Sequence, residues 1–279
     1  MPTPVRSVLR HTAATLRGRD IALWAAGLTF FACLAIVPLL LLGLRGAAAL
    51  LGHAVVVDGA AALAAALPDE QRAGSAVAAI TDAALRAPWP VLAVALIPAT
   101  FYGEGLRRAL DQPAGQAATG TTGWRGRLGF LPVLAAAPVL LAAPLALAPA
   151  IGSLYSAGGW SLALGVVASF HLDWVLISVA LSLVFTVTAP NALPGRTAVA
   201  GAFATGAFLT GFLHGFLLFL AIPVDWSVPF AGLAPVGVAA AVALWLYLLH
   251  VVLILGYRTT LSAHQAQQPP VRSAYRRSA

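Results

Sequence analysis

Residues 21–44 (IALWAAGLTFFACLAIVPLLLLGL) run for 24 positions without a charged side chain, directly after Arg17, Arg19 and Asp20. At about 1.5 Å per residue such a helix reaches roughly 36 Å, enough to cross a hydrocarbon core about 30 Å thick with some tilt. Several more such runs follow, so the chain reads as an integral membrane protein whose function operates in or across a bilayer. Composition agrees: 60% of the 279 residues are hydrophobic and 9% are charged, against about a quarter charged in soluble domains. A soluble chain with so few charges could not keep its surface wetted. The first apolar run far exceeds the 7–15 or so residues of a secretory signal's apolar region, so no cleaved signal is expected. Cys33, the single cysteine, lies inside that run, which excludes an intrachain disulfide.

Apolar runs bounded by charge and turn residues give six spans, at about 21–44, 88–106, 128–151, 173–189, 198–222 and 230–257. The predicted fold class is an all-α integral membrane protein, a six-transmembrane-helix bundle with short outward-facing helices between spans one and two. The fourth span is ambiguous, because apolar sequence extends from Ser161 to Ala189 with His171 and Asp173 in its middle. Counting about 20 residues back from Pro190 puts Asp173 at the opposite interface. This favours a short interfacial helix near 161–170 followed by the span; the alternative is one long tilted helix with an intramembrane acid.

Charge sets the orientation. Thirteen of the sixteen arginines fall on the side that holds both termini, and only Arg45, Arg72 and Arg86 on the other. By the positive-inside rule both termini are expected in the cytoplasm. Trp89, Trp160, Trp174 and Trp226 near outer span ends, with Trp124 and Tyr257 near inner ones, read as aromatic belts. Residues 46–87 suggest two short helices, 60–67 and 71–85, split by Pro68, Asp69 and Glu70 and capping the bundle on its outer side. That region is too small for an independent catalytic domain. Residues 1–264 thus form one polytopic domain, and 265–279 read as a disordered cytoplasmic tail.

Polar and helix-breaking residues inside the spans are the candidate site. Glu104 has Arg107 and Arg108 at i+3 and i+4, and Arg125 and Arg127 flank the other end of the same inner loop. Charge this close to hydrocarbon is expensive and by default points to a cavity or partner. Glu104, Arg107, Arg108, Arg125 and Arg127 are therefore the expected gate or headgroup contact; guanidinium groups grip phosphate bidentately. The third span carries Pro132, Pro138, Pro144 and Pro149. Interior prolines break helix hydrogen bonds, and transporters use broken helices to line substrate sites. Pro138, Pro144, His214 and His250 are the expected cavity lining. A stripe at Ala200, Ala204, Ala207, Gly211 and Gly215 lies on one helix face of the fifth span, with Gly211 and Gly215 expected to pack helices inside the bundle or, alternatively, at a dimer seam. His171, Asp173 and Asp225 come near one another on the outer side of the span map, but their spacing matches no metal motif, and no metal is expected.

Four stretches carry a family resemblance: AAGLTFFACLAIVPLLLL at 25–42, GEGLRRALD at 103–111, APN at 189–191 with AVAGAFATGAF at 198–208, and LWLYLLHVVLILG at 244–256. In this order they resemble the YihY/BrkB family of bacterial inner-membrane proteins, over about residues 20–264. The resemblance implies six spans, cytoplasmic termini, residence in the plasma membrane, and a role in envelope integrity through transport of a lipid or lipid-linked precursor. Two departures stand out. Where the family often has Ala-Glu after the last span's glycine, this chain has Tyr257-Arg258, and Ala234-Pro235-Val236-Gly237 replaces a small polar Tyr-Gly pattern. A mechanism needing that acid is in doubt here. A non-transporting scaffold of an envelope complex is the alternative function. The expected partners are membrane lipids, a lipid-linked substrate and a second copy of the chain. With no GxxxxGK[ST] loop and no Cys/His constellation, the chain is not expected to be an enzyme, to use a cofactor or to bind nucleic acid.

Overall fold

A computed structural model describes residues 4–16, 20–67, 73–111, 122–190, 193–220, 222 and 224–267. Among them the chain is almost entirely helical and has no strand: α1 Pro4–Leu16, α2 Ile21–Leu51, α3 His53–Ala66, α4 Ala73–Arg86, α5 Trp89–Asp111, α6 Thr122–Ala157, α7 Gly159–Leu183 extended by a π-helical turn Val184–Thr188, α8 Gly195–Leu220, a 3-10 turn Val228–Phe230, and α9 Ala234–Gln267. Six of these (α2, α5, α6, α7 with its π turn, α8 and α9) are long and apolar enough to span a membrane.

Local chemistry explains where the helices start and turn. The Asp20 carboxylate accepts the Leu23 N–H and caps α2. Gly158 and Gly159, at φ 68° and 54°, turn the chain from α6 into α7, a conformation that side chains with a Cβ rarely adopt. No comparable break occurs between Trp160 and Leu183. The separate interfacial helix expected near 161–170 is therefore not formed, and one unbroken helix carries Asp173 in its middle. The helix α1 was not expected from the sequence. It lies against α9 with Thr12 buried and Arg6 and Arg10 exposed.

Packing is inverted relative to a soluble protein. Phe30, Val94, Ile97, Val139, Phe208 and Leu218 are all exposed, an apolar exterior suited to lipid rather than water. Inside, α2, α5 and α6 pack against one another in a mutual triad, while α7, α8 and α9 complete the bundle and α9 returns to α2. Two cores result. One joins Leu28, Leu106, Leu110, Phe130, Phe185, Ile254 and Tyr257 at the arginine-rich end. The other joins α2, α3, α4 and α6 through Leu44, Ala47, Val56, Ala84 and Leu145 at the opposite end.

Two helices, α3 and α4, do form between the first two spans, longer or shifted relative to expectation, and cap the end of the bundle opposite the arginines. Arg45 ties this cap down by donating to the Leu85 carbonyl at 2.7 Å. The acidic pair Asp69 and Glu70 and the tail beyond Gln267 lie outside the described residues. The tryptophan belt needs correction at two positions. Trp174 donates its indole N–H to the Phe203 carbonyl at 2.8 Å and so pins α7 to α8. Tyr257 is fully buried against Phe185. Trp89, Trp124 and Trp160 are exposed at span ends as an interface belt requires.

Candidate functional site: an ion-paired lock at the arginine-rich end

The sequence GEG at 103–105 builds this site. A Cβ at Gly126 of α6 would lie 2.6 Å from the Gly103 carbonyl oxygen and 2.8 Å from Glu104 Cα. On the other flank a Cβ at Gly105 would lie 2.6 Å from the Phe31 ring of α2. Glycines therefore let α5 approach both neighbours closely, and Glu104 is carried into the crossing, where it is 7% exposed.

A carboxylate so placed must be paired. The expected partner Arg108 is there, one turn on, donating to Glu104 Oε1. Arg127 of α6 donates from Nε to Oε2 at 2.8 Å, and its guanidinium lies 4.2 Å from the Phe101 ring centroid and 5.1 Å from that of Trp124. Two aromatic rings thus lie within cation–π distance of it. Arg107 does not pair with Glu104. It donates to the Thr188 carbonyl at 3.2 Å, in the last residue of the π turn, while its Nε is buried without a partner. The Thr188 hydroxyl donates to the Gly129 carbonyl at 2.9 Å, so α5, α6 and the π turn are tied together at one level. Arg125 is exposed. Arg107, Arg108, Arg125 and Arg127 against Glu104 leave this group of five side chains with three net positive charges (4 − 1).

Arg258 adds a further tie that sequence reading passed over except as a departure from the family pattern. Buried at 3% exposure, it donates to the Leu110 carbonyl at 2.8 Å. A cation at the C-terminal carbonyls of α5 complements the helix dipole.

The expected cavity residues fare differently. Pro138 packs on α2, where a Cβ at Gly46 would overlap its ring, so it fills space rather than lining it. Pro144 is half-buried, and α6 stays a single helix despite its four prolines. Pro149 frees the Leu145 carbonyl, which lies so close to Gly59 of α3 that any Cβ there would overlap it. The freed carbonyl thus faces the backbone of α3.

His250 is held in a buried hydrogen-bonded chain. At 4% exposure its Nδ1 lies 2.9 Å from Thr29 Oγ1 and its Nε2 lies 3.0 Å from the Tyr102 hydroxyl. Thr29 donates to the Ala25 carbonyl at 2.8 Å. One assignment satisfies every atom: Tyr102 donates to Nε2, Nδ1–H donates to Thr29, and Thr29 donates to Ala25. This chain of neutral bonds pins α2, α5 and α9.

His214 meets Asp173 instead, Nε2 to Oδ2 at 3.8 Å. The expected neighbour Asp225 is elsewhere, its Oδ1 accepting from both the backbone N–H and the hydroxyl of Ser227. Those bonds hold its carboxyl below the usual carboxylate range. Among the described residues no group of three or more His, Cys, Asp or Glu is gathered as a metal site would need.

The two glycines expected to pack helices on α8 differ. Gly211 is exposed with open space where its Cβ would be, whereas a Cβ at Gly215 would meet the Trp245 ring of α9 at 3.9 Å, an ordinary contact. The close approaches are made by the opposite face. A Cβ at Gly201 would overlap Thr260, and one at Gly256 of α9 would overlap Thr205. Two small-residue faces exist on this helix; the inner one carries threonine as well as glycine.

None of the curated proteins and none of the solved structures matches this chain. A family model described as virulence factor BrkB does match, over residues 12–278. That span takes in the six apolar helices, the arginine lock and the α7–α8 pair together. The chain is a multi-pass membrane protein that belongs to the virulence factor BrkB family.

Proposed function

We propose that this chain is a plasma-membrane protein with both termini in the cytoplasm, supporting envelope integrity by binding and moving an amphipathic lipid or lipid-linked precursor. The observation that carries this reading is the arginine lock. Glu104 draws Arg108 and Arg127 together from two spans, yet the cluster keeps a positive excess and a buried, unpartnered Arg107 Nε. A phosphate headgroup arriving here competes with Glu104 for the same guanidinium groups and thereby loosens the tie between α5 and α6. The reading requires no bond-making chemistry and no cofactor, and the driving force is an ion gradient or an existing lipid gradient.

The test is reconstitution in liposomes with labelled phospholipids and labelled polyprenyl phosphates. Faster exchange of label between leaflets than in empty liposomes supports the reading, provided Glu104→Gln or Arg127→Ala changes that rate. Neither binding nor exchange of any labelled lipid sinks it.

A scaffold or self-associating role is favoured by a different observation, the outward-facing Ala200, Ala204 and Gly211 of α8. Small residues on a lipid-facing surface allow a second helix to approach closely. Crosslinked dimers that disappear in Gly211→Leu, with lipid exchange absent, would favour it.

A further inference from the structure

Asp173 and His214, with Oδ2 and Nε2 3.8 Å apart, make the one close approach of an acidic and a basic side chain in the described interior that the arginine lock does not absorb. Asp173 stands 15 residues from Thr188 and 14 from Gly159 on an unbroken helix. That is roughly 22 Å from the arginine-rich end and about 21 Å from the other. His214 is 19 residues into α8. Both side chains are only partly shielded, at 31% and 21% exposure, in a stretch whose surroundings are hydrocarbon.

The hydrogen bonding of His214 fixes one of its ring nitrogens. Its Nδ1 lies 3.1 Å from the Thr210 backbone carbonyl. A carbonyl only accepts, so Nδ1 carries a proton. In the neutral ring Nε2 then presents a lone pair toward the Asp173 carboxylate, and two lone pairs would face each other. The geometry points to Asp173 and His214 as a site that holds one proton between them inside the membrane. With the proton on Nε2 the pair is imidazolium and carboxylate; with it on Oδ2 the pair is imidazole and carboxylic acid. Either way the net charge is zero. Release of the proton leaves one negative charge in hydrocarbon, which is expensive. The contrast with His250 is direct: there a tyrosine hydroxyl satisfies Nε2, so no extra proton is called for.

The other titratable groups nearby are accounted for. On α7, His171 donates from Nδ1 to the Val167 carbonyl at 2.8 Å. On α6, the Tyr155 hydroxyl pairs with Ser169. On α9, Tyr247 packs with the apolar core and His250 is taken by Thr29 and Tyr102, while Arg125, Arg127, Arg196 and Arg258 are gathered at the arginine-rich end. Below the pair, the hydroxyls of Thr210 and Ser178 are fully buried and unpartnered. Thr210 is one turn from His214, and Ser178 rests on Gly206, one turn further. They are polar rungs between the proton site and the arginine-rich end. The site stands whether or not a lipid is what the protein moves, because proton occupancy alone can bias two conformations of a span.

The test is pH-difference infrared spectroscopy of the full chain in phosphatidylcholine vesicles. A carboxyl band that titrates in the wild type is expected to vanish in Asp173→Asn. In His214→Gln, which removes the imidazole facing the carboxylate, its midpoint is expected to move. Asp225→Asn removes a separate band and leaves this one in place. Superimposable titrations of the wild type and Asp173→Asn would overturn the assignment. Should Asp173→Asn not accumulate folded, an unmoved midpoint in His214→Gln overturns it alone.

Discussion

The carboxylate of Glu104 on α5 and the guanidinium of Arg127 on α6 meet at 2.8 Å across a helix crossing made by Gly103 and Gly126. The ion pair and the glycines depend on each other. Without the close approach Arg127 could not reach Oε2, and without Arg127 the acid would be brought into a buried crossing short of a partner.

Glu104→Gln is expected to lower stability by about 1–3 kcal/mol, less than the 3–5 typical of a fully buried pair because Arg127 is a quarter exposed. Arg108→Ala is expected to cost about 1 kcal/mol or less, since that side chain is half exposed. Thermal unfolding in detergent, run as a double-mutant cycle of Glu104→Gln with Arg127→Ala, measures the coupling. Strictly additive effects would show that the two side chains do not interact.

Tyr102→Phe removes the donor to His250 Nε2 while keeping the ring that packs on Phe130. An orphaned buried acceptor costs about 1–3 kcal/mol. The variant should melt at lower temperature than the wild type, and Tyr102→Phe combined with His250→Leu should recover part of the loss. A wild-type melting temperature in the single variant would mean the bond contributes nothing.

Glycine substitutions should divide by face. Gly126→Ala forces a Cβ against the Gly103 carbonyl and Glu104 Cα, backbone atoms that cannot yield without separating α5 from α6. A loss of about 2 kcal/mol or more is expected, as for other overpacked cores. Gly211→Ala meets open space and gains helix propensity, so a monomer should tolerate it. Equal effects at the two sites would contradict the packing described here.

The Asp225–Ser227 turn should respond to acid. Its folded pKa is depressed, so its stabilisation is fully present above the unfolded value of about 3.9 and is lost as pH falls through the folded value. Amide exchange at Ser227 should quicken, relative to the intrinsic rate, only below about pH 4, and Asp225→Asn should erase that dependence. Exchange protection that is unchanged down to pH 2 or so would count against it.

How much of this could be read from the residues alone follows from separation along the chain. The spans were legible because charge-free runs of that length have one physical use, and Arg108 was legible because i+4 neighbours share a helix face. Arg127 pairs across 23 positions, and no local rule brings it to Glu104 rather than to solvent. The Thr29–His250 and Tyr102–His250 bonds close gaps of 221 and 148 residues, so an isolated histidine in a span gave no sign of being satisfied. The α8 stripe was only partly legible, for another reason. Smallness marks a face that a helix could approach, and both faces of α8 are small; only the threonines at 205 and 210 distinguish the inner one. The fourth span was divided because Asp173 was treated as an interface marker, whereas a histidine on the neighbouring helix supplies its partner in place.

The π turn at Val184–Thr188, where the Ala189 N–H reaches back five residues to Val184, has a mechanical consequence. An ordinary α-turn here would hold one residue fewer. Squeezing out that surplus would swing everything after it by about 100° around the axis, turning the Thr188 carbonyl away from Arg107 and its hydroxyl away from Gly129. The bulge is thus a stored rotation: one residue's worth of winding that, once released, would unhook the fourth span from two others at a stroke.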